Sequence, residues 1–496
     1  MEKILKQSQQ TQALTMKQFK HFTGTFLNEK IAKSIIVENV EYTASALNQT
    51  TAEHTAFIAF TEERLEHILS SKRAWIDGNK VAQAYLGKIE VLVTETPIEE
   101  LKGTLPQFIV PDVWEFMYEV GTYLRQKTEI PIVAITGSVG KSTTRMMLDH
   151  LLQDDFNVLS NRGNHNTRFA MPLYMDKLVQ SPDILDLEVS LNALNSRDKG
   201  SLTPFIQPTI SLLTSIGAAH MTGVADLNAI AKVKANIFKG MAEDGVAIIN
   251  QDIPTEQLEL VLAVARENTT NILTYSMTDM SADLYLVSMK ELKDFTEVTV
   301  SYQEELYTYY LGLASAGVVE NSLGILLVLL SLGLDINQYL DRLLTFHSLP
   351  KVMETKKGTI DGKRVTIIDD SHNAAIPSMI NGIVSFTNKV SYYSGKKILV
   401  LGQVADLGKH SKVLHEQLLP YINNSGADIL LGYGEGMKEV VLNAGIPAQW
   451  YETLPSYLAA IKRNVTSNSL ILLKGSVSGS DYKQISSLLD KELAKG

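Results

Sequence analysis

A chain of 496 residues with 45% hydrophobic and 20% charged side chains is too long for one core and too apolar for disorder, and its size predicts three domains. The formal charge of −10 is spread without a basic stripe, which argues against a nucleic-acid surface. With no cysteine, disulfides, thiolate zinc sites and a cysteine nucleophile are excluded, so any metal must sit on oxygen or imidazole.

The N-terminal stretch MEKILKQSQQTQALTMKQF has lysines but no continuous apolar segment and no small-residue cleavage site, which predicts a cytoplasmic protein. Residues 1–128 show a mixed pattern without a glycine-rich loop and are expected to form a small N-terminal α/β domain for substrate recognition. From residue 129 short β-branched runs alternate with helical patterns, the signature of a parallel sheet covered by helices. Strands are predicted at 132–136, 184–189, 209–213 and 246–250. The alternating pattern from 282 to 311 predicts two or three antiparallel strands. The apolar stretch 323–334 is too short to span a bilayer and contains Gly324 and Ser331, so it reads as a buried helix rather than a membrane insertion.

A second series of apolar runs begins at Val365 and continues through 398–401, 429–431 and 470–473. The fold class is therefore α/β in three domains. A small N-terminal α/β domain (1–128) precedes a central P-loop ATPase-type parallel sheet (129–345) and a C-terminal Rossmann-like open sheet (346–496). No internal repeat is present.

The strongest local signal is Pro131 to Thr143, an apolar run feeding Thr136-Gly137-Ser138-Val139-Gly140-Lys141-Ser142-Thr143. Gly137 and Gly140 allow a tight turn with backbone N–H groups close to an anion, Lys141 neutralises phosphate oxygens, and Ser142 or Thr143 can hold Mg²⁺. The general pattern wants a glycine where Ile135 stands, so this is a shortened variant. Met146, Met147, Leu151 and Leu152 follow at helical spacing.

Glu188 ends a predicted strand, where a carboxylate points into the ligand crevice and could bind Mg²⁺ opposite Ser142; a solvated turn acid is the plainer alternative. His220 follows a strand and a glycine turn, although a lone histidine is more often a cap or core residue. On the next helix, Ile230, Val233 and Ile237 set an apolar face that puts Lys232 and Lys234 on different sides; surface lysines are the default for both.

The loop, Glu188, the segment Thr214-Ser215-Ile216-Gly217-Ala218-Ala219-His220 and the segment Lys232 to Phe238 together resemble the ATP-binding core of the Mur ligases. Gly163-Asn164-His165-Asn166 before Met171-Pro172-Leu173, Asp369-Asp370-Ser371-His372-Asn373-Ala374, Leu401-Gly402-Gln403 with Asp406-Leu407-Gly408, and Lys474-Gly475-Ser476 extend the resemblance in order over residues 129–496. It is strongest to the members that add D-alanyl-D-alanine to UDP-N-acetylmuramoyl-tripeptide.

The resemblance implies an ATP- and Mg²⁺-dependent ligase that makes an acyl phosphate and then an amide in cell-wall synthesis, a monomer whose partners are a small-molecule carboxylate and an amine. It gives catalytic roles to Lys141, Glu188, His220 and Lys234. Gly137, Ser138, Gly140, Lys141, Ser142 and Thr143 would take the phosphates, Asn321 the adenine side, and Asp370 with Asn373 the ribose and base. The metals would fall to Ser142, Glu188, His220 and Lys234, the last aligning with a lysine that many members carbamylate. Closure of the C-terminal domain would complete the site.

Departures are specific. Ser315-Ala316-Gly317-Val318 replaces a usual Gly-x-His-Asn, Lys351 follows Leu349-Pro350 in place of arginine, Ala375-Ile376 stands for Asn-Pro, and Val477 replaces an arginine. The N-terminal domain lacks the Asp-Ser-Arg element and glycine-rich segment that hold uridine, with Ala56 to Phe60 a faint echo. Two alternatives therefore stay open. One is an amino-acid or peptide ligase of another pathway, including the polyglutamate type; the other is an ATP-binding regulator that does not ligate.

Overall fold

Strands buried on both faces are dominated by apolar residues, and three runs of the sequence meet that demand apart from Asp186 and the polar residues Thr136, Glu188 and Asn250 at their ends. Ile132–Thr136, Ile184–Glu188 and Val246–Asn250 are buried at every position. They belong to a nine-stranded sheet in a computed structural model that describes residues 13–69, 76–163, 165–196, 199–217, 226–293, 295–312, 316–347, 350–405, 407–476 and 481–494. The spatial order is Glu305–Leu311, Thr296–Tyr302, Leu284–Glu291, Asn271–Ser276, Val246–Asn250, Ile210–Leu213, Ile132–Thr136, Ile184–Glu188 and Val158–Ser160. Pairing is parallel from Val158–Ser160 through Leu284–Glu291 and antiparallel beyond it.

The predicted strands at 132–136 and 246–250 coincide with those observed, and the other two differ by one residue at an end. The 282–311 region holds three strands. Val158–Ser160 and Asn271–Ser276 escaped the sequence reading because both are largely half-buried and lack a continuous apolar run.

The buried helix runs over Ala316–Ser331 and stops earlier than the apolar stretch does. Gly333 takes a left-handed φ of +77°, and the Leu334 N–H turns back to the Leu329 carbonyl at 3.0 Å, a glycine-dependent stop. This helix and Lys141–Leu152 cover one face of the sheet, sharing a core with Val133, Ile135 and Tyr275. Among the described residues no helix is long and apolar enough to cross a membrane.

The opposite face, through Ile132 and Ala134, is continuous with the N-terminal core. That core covers one face of a five-stranded sheet ordered Thr25–Phe26, Gln107–Ile109, Val91–Thr94, Thr55–Ile58 and Asn39–Glu41, whose other face packs a separate cluster around Phe57 and Leu92; Leu14–Thr15 and Ile36–Val37 form a separate pair. Phe169, from the central part of the chain, inserts among N-terminal aromatics. It stacks on Trp114 at 5.3 Å and 9° and meets Phe60 at 5.3 Å and Tyr42 at 5.1 Å. Nearby, Lys177 pairs with Glu41 at 2.6 Å and Gln180 donates to Asn39 at 2.6 Å.

The C-terminal sheet is ordered Glu354–Ile360, Lys363–Asp369, Ser469–Lys474, Lys397–Gly402, Ile429–Tyr433 and Ala448–Tyr451. All its pairs are parallel except the first, a hairpin turned by Asp361 and Gly362, both at positive φ. Helices on its two faces form two separate cores. It is tied to the central sheet through Glu291, which accepts from Lys389 at 2.9 Å and Asn388 at 2.6 Å, with the Glu291 and Lys389 side chains only 4% and 1% exposed.

Because Leu326 is fully buried between the helix and the sheet, Leu326→Ala is expected to lower unfolding stability by about 2–5 kcal/mol. Urea unfolding monitored by far-UV circular dichroism would measure it.

Candidate active site

The strand Ile132–Thr136 carries the chain to the C-terminal edge of the parallel sheet, the edge where ligands bind in open α/β folds. There the loop turns in contact with the end of the next strand. Thr214 Oγ1 donates to the Val139 carbonyl at 2.7 Å, the Val139 N–H donates to Ser215 Oγ at 2.9 Å, and the Ser138 N–H donates to the Ser215 carbonyl at 2.9 Å. Ser138 Oγ both accepts from the Gly217 N–H at 2.9 Å and donates to its carbonyl at 3.0 Å. A Cβ on Gly137 would lie 1.9 Å from Thr214 Oγ1, so only glycine fits. Gly140, at φ +88°, opens the helix Lys141–Leu152 without a side-chain cap, which leaves N–H groups free to face an anion. Asn321 lies against this turn: a Cβ on Gly140 would stand 2.5 Å from its Oδ1. Thr143, half-buried in the first turn of the helix, follows the loop directly.

Ser142 Oγ donates to Glu188 Oε2 at 2.6 Å, joining the start of that helix to the end of Ile184–Glu188. The other carboxylate oxygen, Oε1, accepts from Asn166 Nδ2 at 2.7 Å. Asn161, 2% exposed, brackets the Glu188 backbone. Its Oδ1 accepts from the Glu188 N–H at 2.8 Å, and its Nδ2 donates to the Glu188 carbonyl at 2.8 Å. A hydroxyl and a carboxylate at hydrogen-bond distance are the hard oxygen donors Mg²⁺ prefers, so the pair fits that ion. Among the described residues no three His, Asp or Glu side chains cluster as a metal cage. Phosphate and water oxygens would have to complete the coordination.

Two ammonium groups converge on one backbone oxygen. Lys141 Nζ donates to the Gly137 carbonyl at 2.9 Å and Lys234 Nζ donates to the same carbonyl at 2.8 Å. Burial lowers the pKa of Lys141, against the opposing pull of Glu188. Lys234, 5% exposed, is pushed down to about 7, first by burial and then by the charge of Lys141, with Glu188 opposing. The helix Leu227–Ala235 turns Lys234 inward and leaves Lys232 exposed.

The structure thus brings Gly137, Ser138, Gly140, Lys141, Ser142, Glu188, Lys234 and Asn321 to one crevice. His220 lies outside the described residues. Asp370 and Asn373 stand on the C-terminal sheet. Lys474 Nζ pairs with Asp370 Oδ2 at 2.6 Å and donates to the Asp370 and Asn373 carbonyls at 3.2 and 3.3 Å, while Asn373 Oδ1 accepts from the Ala374 N–H at 2.8 Å. The helix that follows brings Pro377 near Gly217: a Cβ on Gly217 would stand 3.8 Å from Pro377 Cγ. Asn161, Asn166, Thr214 and Ser215 were not singled out as site residues from sequence. Asn166, Thr214 and Ser215 nonetheless stand inside the segments that carry the family resemblance, and Asn161 directly follows the strand Val158–Ser160.

Fold and loop place the chain among phosphate-binding α/β proteins of the P-loop class. Within that class it belongs to the Mur ligase family, whose middle-domain model matches residues 135–329 and whose glutamate ligase domain model matches residues 353–477. The UDP-N-acetylmuramoyl-tripeptide--D-alanyl-D-alanine ligase of Rickettsia prowazekii (strain Madrid E) is 25% identical over 406 residues, covering 81% of this chain and 87% of the relative. Among solved structures, MurF from Acinetobacter baumannii superposes with a TM-score of 0.77 at 19% identity, covering 98% of this chain and 100% of the other. MurF ligase from Thermotoga maritima, solved in complex with ADP, gives 0.71 at 20% identity over 92% and 98%.

With its pKa lowered on folding, Lys234 takes up its proton more readily in the unfolded chain between about pH 7 and its ordinary value of 10.5. Folded-state stability attributable to this group therefore rises across that window and is lowest below pH 7, where the ammonium is buried with its charge. Lys234→Met is expected to remove this slope, gaining on the wild type most at about pH 6.5 and least at about pH 9. Urea midpoints of both proteins at the two pH values check it.

Proposed function

We propose that this chain is an ADP-forming ligase that joins D-alanyl-D-alanine to the carboxylate of UDP-N-acetylmuramoyl-tripeptide, as a cytoplasmic monomer in cell-wall synthesis. The observation that supports it most is the meeting of Lys141, Ser142, Glu188 and Lys234 at the phosphate loop of a chain aligned with UDP-N-acetylmuramoyl-tripeptide--D-alanyl-D-alanine ligases over most of their length. The working domain limits are 1–128 for substrate recognition, 129–345 for ATP and 346–496 for closure.

In the first step a carboxylate oxygen of the tripeptide attacks the γ-phosphorus of ATP, the bond to ADP breaks, and an acyl phosphate forms. The amine of the dipeptide then attacks the acyl carbon. The tetrahedral intermediate loses phosphate, and the amine loses a proton to give the amide. Chemistry of this kind needs positioning and charge neutralisation more than a covalent nucleophile.

Lys141 meets the transferred phosphoryl oxygens, while the loop N–H groups from Gly137 to Gly140 and the Thr143 hydroxyl take the remaining phosphate oxygens. Ser142 and Glu188 would hold Mg²⁺, which when bound would neutralise charge on the phosphate tail. Lys234, with an amine that is half neutral near pH 7, is suited to carbamylation, and the carbamate oxygens with His220 would serve a second cation. Asn321 lies on the adenine side, and the strand end carrying Asp370 and Asn373 reaches the ribose and base when the C-terminal domain closes. Because the Asp370 carboxylate is engaged by Lys474, its part is to shape that strand end.

One observation favours a second reading with the same chemistry and another acceptor. Ala56 to Phe60, the segment nearest in sequence to a uridine element, is entirely buried, at 4% exposure or less. A different carboxylate, of an amino-acid or polyglutamate type, would then occupy the N-terminal side.

Phosphate release measured with each substrate singly and together separates these readings. The proposal expects release only when UDP-N-acetylmuramoyl-tripeptide and D-alanyl-D-alanine are both present, with loss of at least about a hundredfold in Lys141→Ala. Turnover with a different pair alone would establish the second reading, and hydrolysis indifferent to any pair would make the chain a regulator.

The lysine pair supplies a sharper contrast. Lys234→Ala is expected to lose on the order of a hundredfold in turnover, whereas the exposed Lys232→Ala stays near wild type, and added bicarbonate raises the activity of the wild type and of Lys232→Ala but not of Lys234→Ala. Normal turnover of Lys234→Ala, with no response to bicarbonate, would remove Lys234 from the mechanism.

A further inference from the structure

Glu188 has two carboxylate oxygens, and a cation facing the phosphates can be served by the one beside Ser142 only if the side chain does not swing. Its neighbours are arranged to stop that motion. Oε2 faces Ser142 Oγ at 2.6 Å and Oε1 is taken by Asn166 Nδ2 at 2.7 Å, so each oxygen has its own donor.

Asn166 is itself seated by Asn161. The strand Val158–Ser160 pairs with Ile184–Glu188 as far as Ser160 opposite Asp186 and then runs out. Beyond that point the Asn161 carboxamide takes over the ladder, pairing with both the N–H and the carbonyl of Glu188, and it also donates to the His165 carbonyl at 2.9 Å. That last bond fixes the peptide entering Asn166, and the Asn166 carbonyl accepts from the Ser190 N–H at 3.0 Å. Just after it, the Arg168 N–H donates to Asn192 Oδ1 at 2.9 Å, the Arg168 guanidinium donates to the Ile68 carbonyl, and Phe169 is clamped on Trp114. The segment is held from both ends, so the Asn166 amide meets Glu188 already oriented.

We propose that Asn166, seated by Asn161, is a positioning residue that holds the Glu188 carboxylate in a single orientation with Oε2 turned to the cation beside Ser142. The inference rests on the reading of Ser142 and Glu188 as the metal-facing pair. Outer-shell partners that orient a ligating group commonly set metal affinity by 10–100-fold, which fixes the size of effect to look for.

The test uses Mn²⁺ as the probe, its binding to the full-length protein with saturating ADP followed by the electron paramagnetic resonance signal of the free ion. Asn166→Ala is expected to raise the Mn²⁺ dissociation constant about tenfold while leaving ADP affinity in EDTA and the unfolding midpoint at wild-type values. Asn166→Ser, whose hydroxyl is too short to reach Oε1, should show the same shift and serves if the alanine variant does not fold. Unchanged Mn²⁺ affinity in whichever folded variant is measured overturns the proposal. Glu188→Gln separates the two levels of the argument. If it weakens Mn²⁺ and Asn166→Ala does not, only the role of Asn166 falls; if Glu188→Gln itself binds Mn²⁺ as the wild type does, the metal-facing reading falls with it.

Discussion

The Gly137 carbonyl is the point on which the site turns. Two lysines from different helices, Lys234 buried and Lys141 half-buried, donate to it, and the residue that bears it has no room for a side chain against Thr214. Like charges this close are tolerated only with a shared acceptor and a nearby anion, and Glu188 is that anion. The loop, the start of Lys141–Leu152, the end of Ile184–Glu188 and the helix carrying Lys234 are therefore held in one electrostatic arrangement. Shifting any of them would leave a buried cation without its acceptor, which costs more than the contact itself contributes.

Two acids on the same strand show how environment decides charge. Asp186 and Glu188 are two residues apart and so face the same side of the sheet. Glu188 receives donors on both oxygens. Asp186 is fully buried with neither carboxylate oxygen hydrogen-bonded, and burial pushes its pKa well above the ordinary value, with Asp149 adding to the rise. The same side of one strand thus carries a donor-matched carboxylate at its end and, beneath it, an unmatched one whose charged form burial disfavours.

Much of this was legible in the sequence wherever one residue type answers to one local demand. The apolar run into Thr136-Gly137 could only be a buried strand meeting a tight turn, and helical spacing put Lys232 and Lys234 on different sides, while the choice of Lys234 as the inward one came from the family resemblance. Elements whose burial is divided were harder: Val158–Ser160 and Ala448–Tyr451 are edge strands with no face fully covered. Glu354–Ile360 was marked by Asp361-Gly362, a hairpin signal that the search for apolar runs passed over. Asn166 stood in a motif segment, but its contact with Glu188, like that of Asn161, was opaque because the partner lies 22 and 27 residues away and is met by Asn161 through its backbone. The Asp370–Lys474 pair, 104 positions apart in sequence, was likewise visible only after folding.

The insertion of Phe169 among Trp114, Phe60 and Tyr42 bears on how the chain comes apart. One apolar cluster runs without interruption from Val40 in the N-terminal sheet to Ala265 beside the central one, whereas the C-terminal sheet keeps two clusters of its own. The first two sheets cannot separate without wetting that aromatic stack, so they melt as one cooperative block. The third is fastened chiefly by polar ties such as Glu291 to Lys389, and it has the independent core of a second calorimetric transition. The N-terminal and central sheets are therefore a single thermodynamic object, and the polar seam to the C-terminal sheet is where the chain can loosen while leaving both intact.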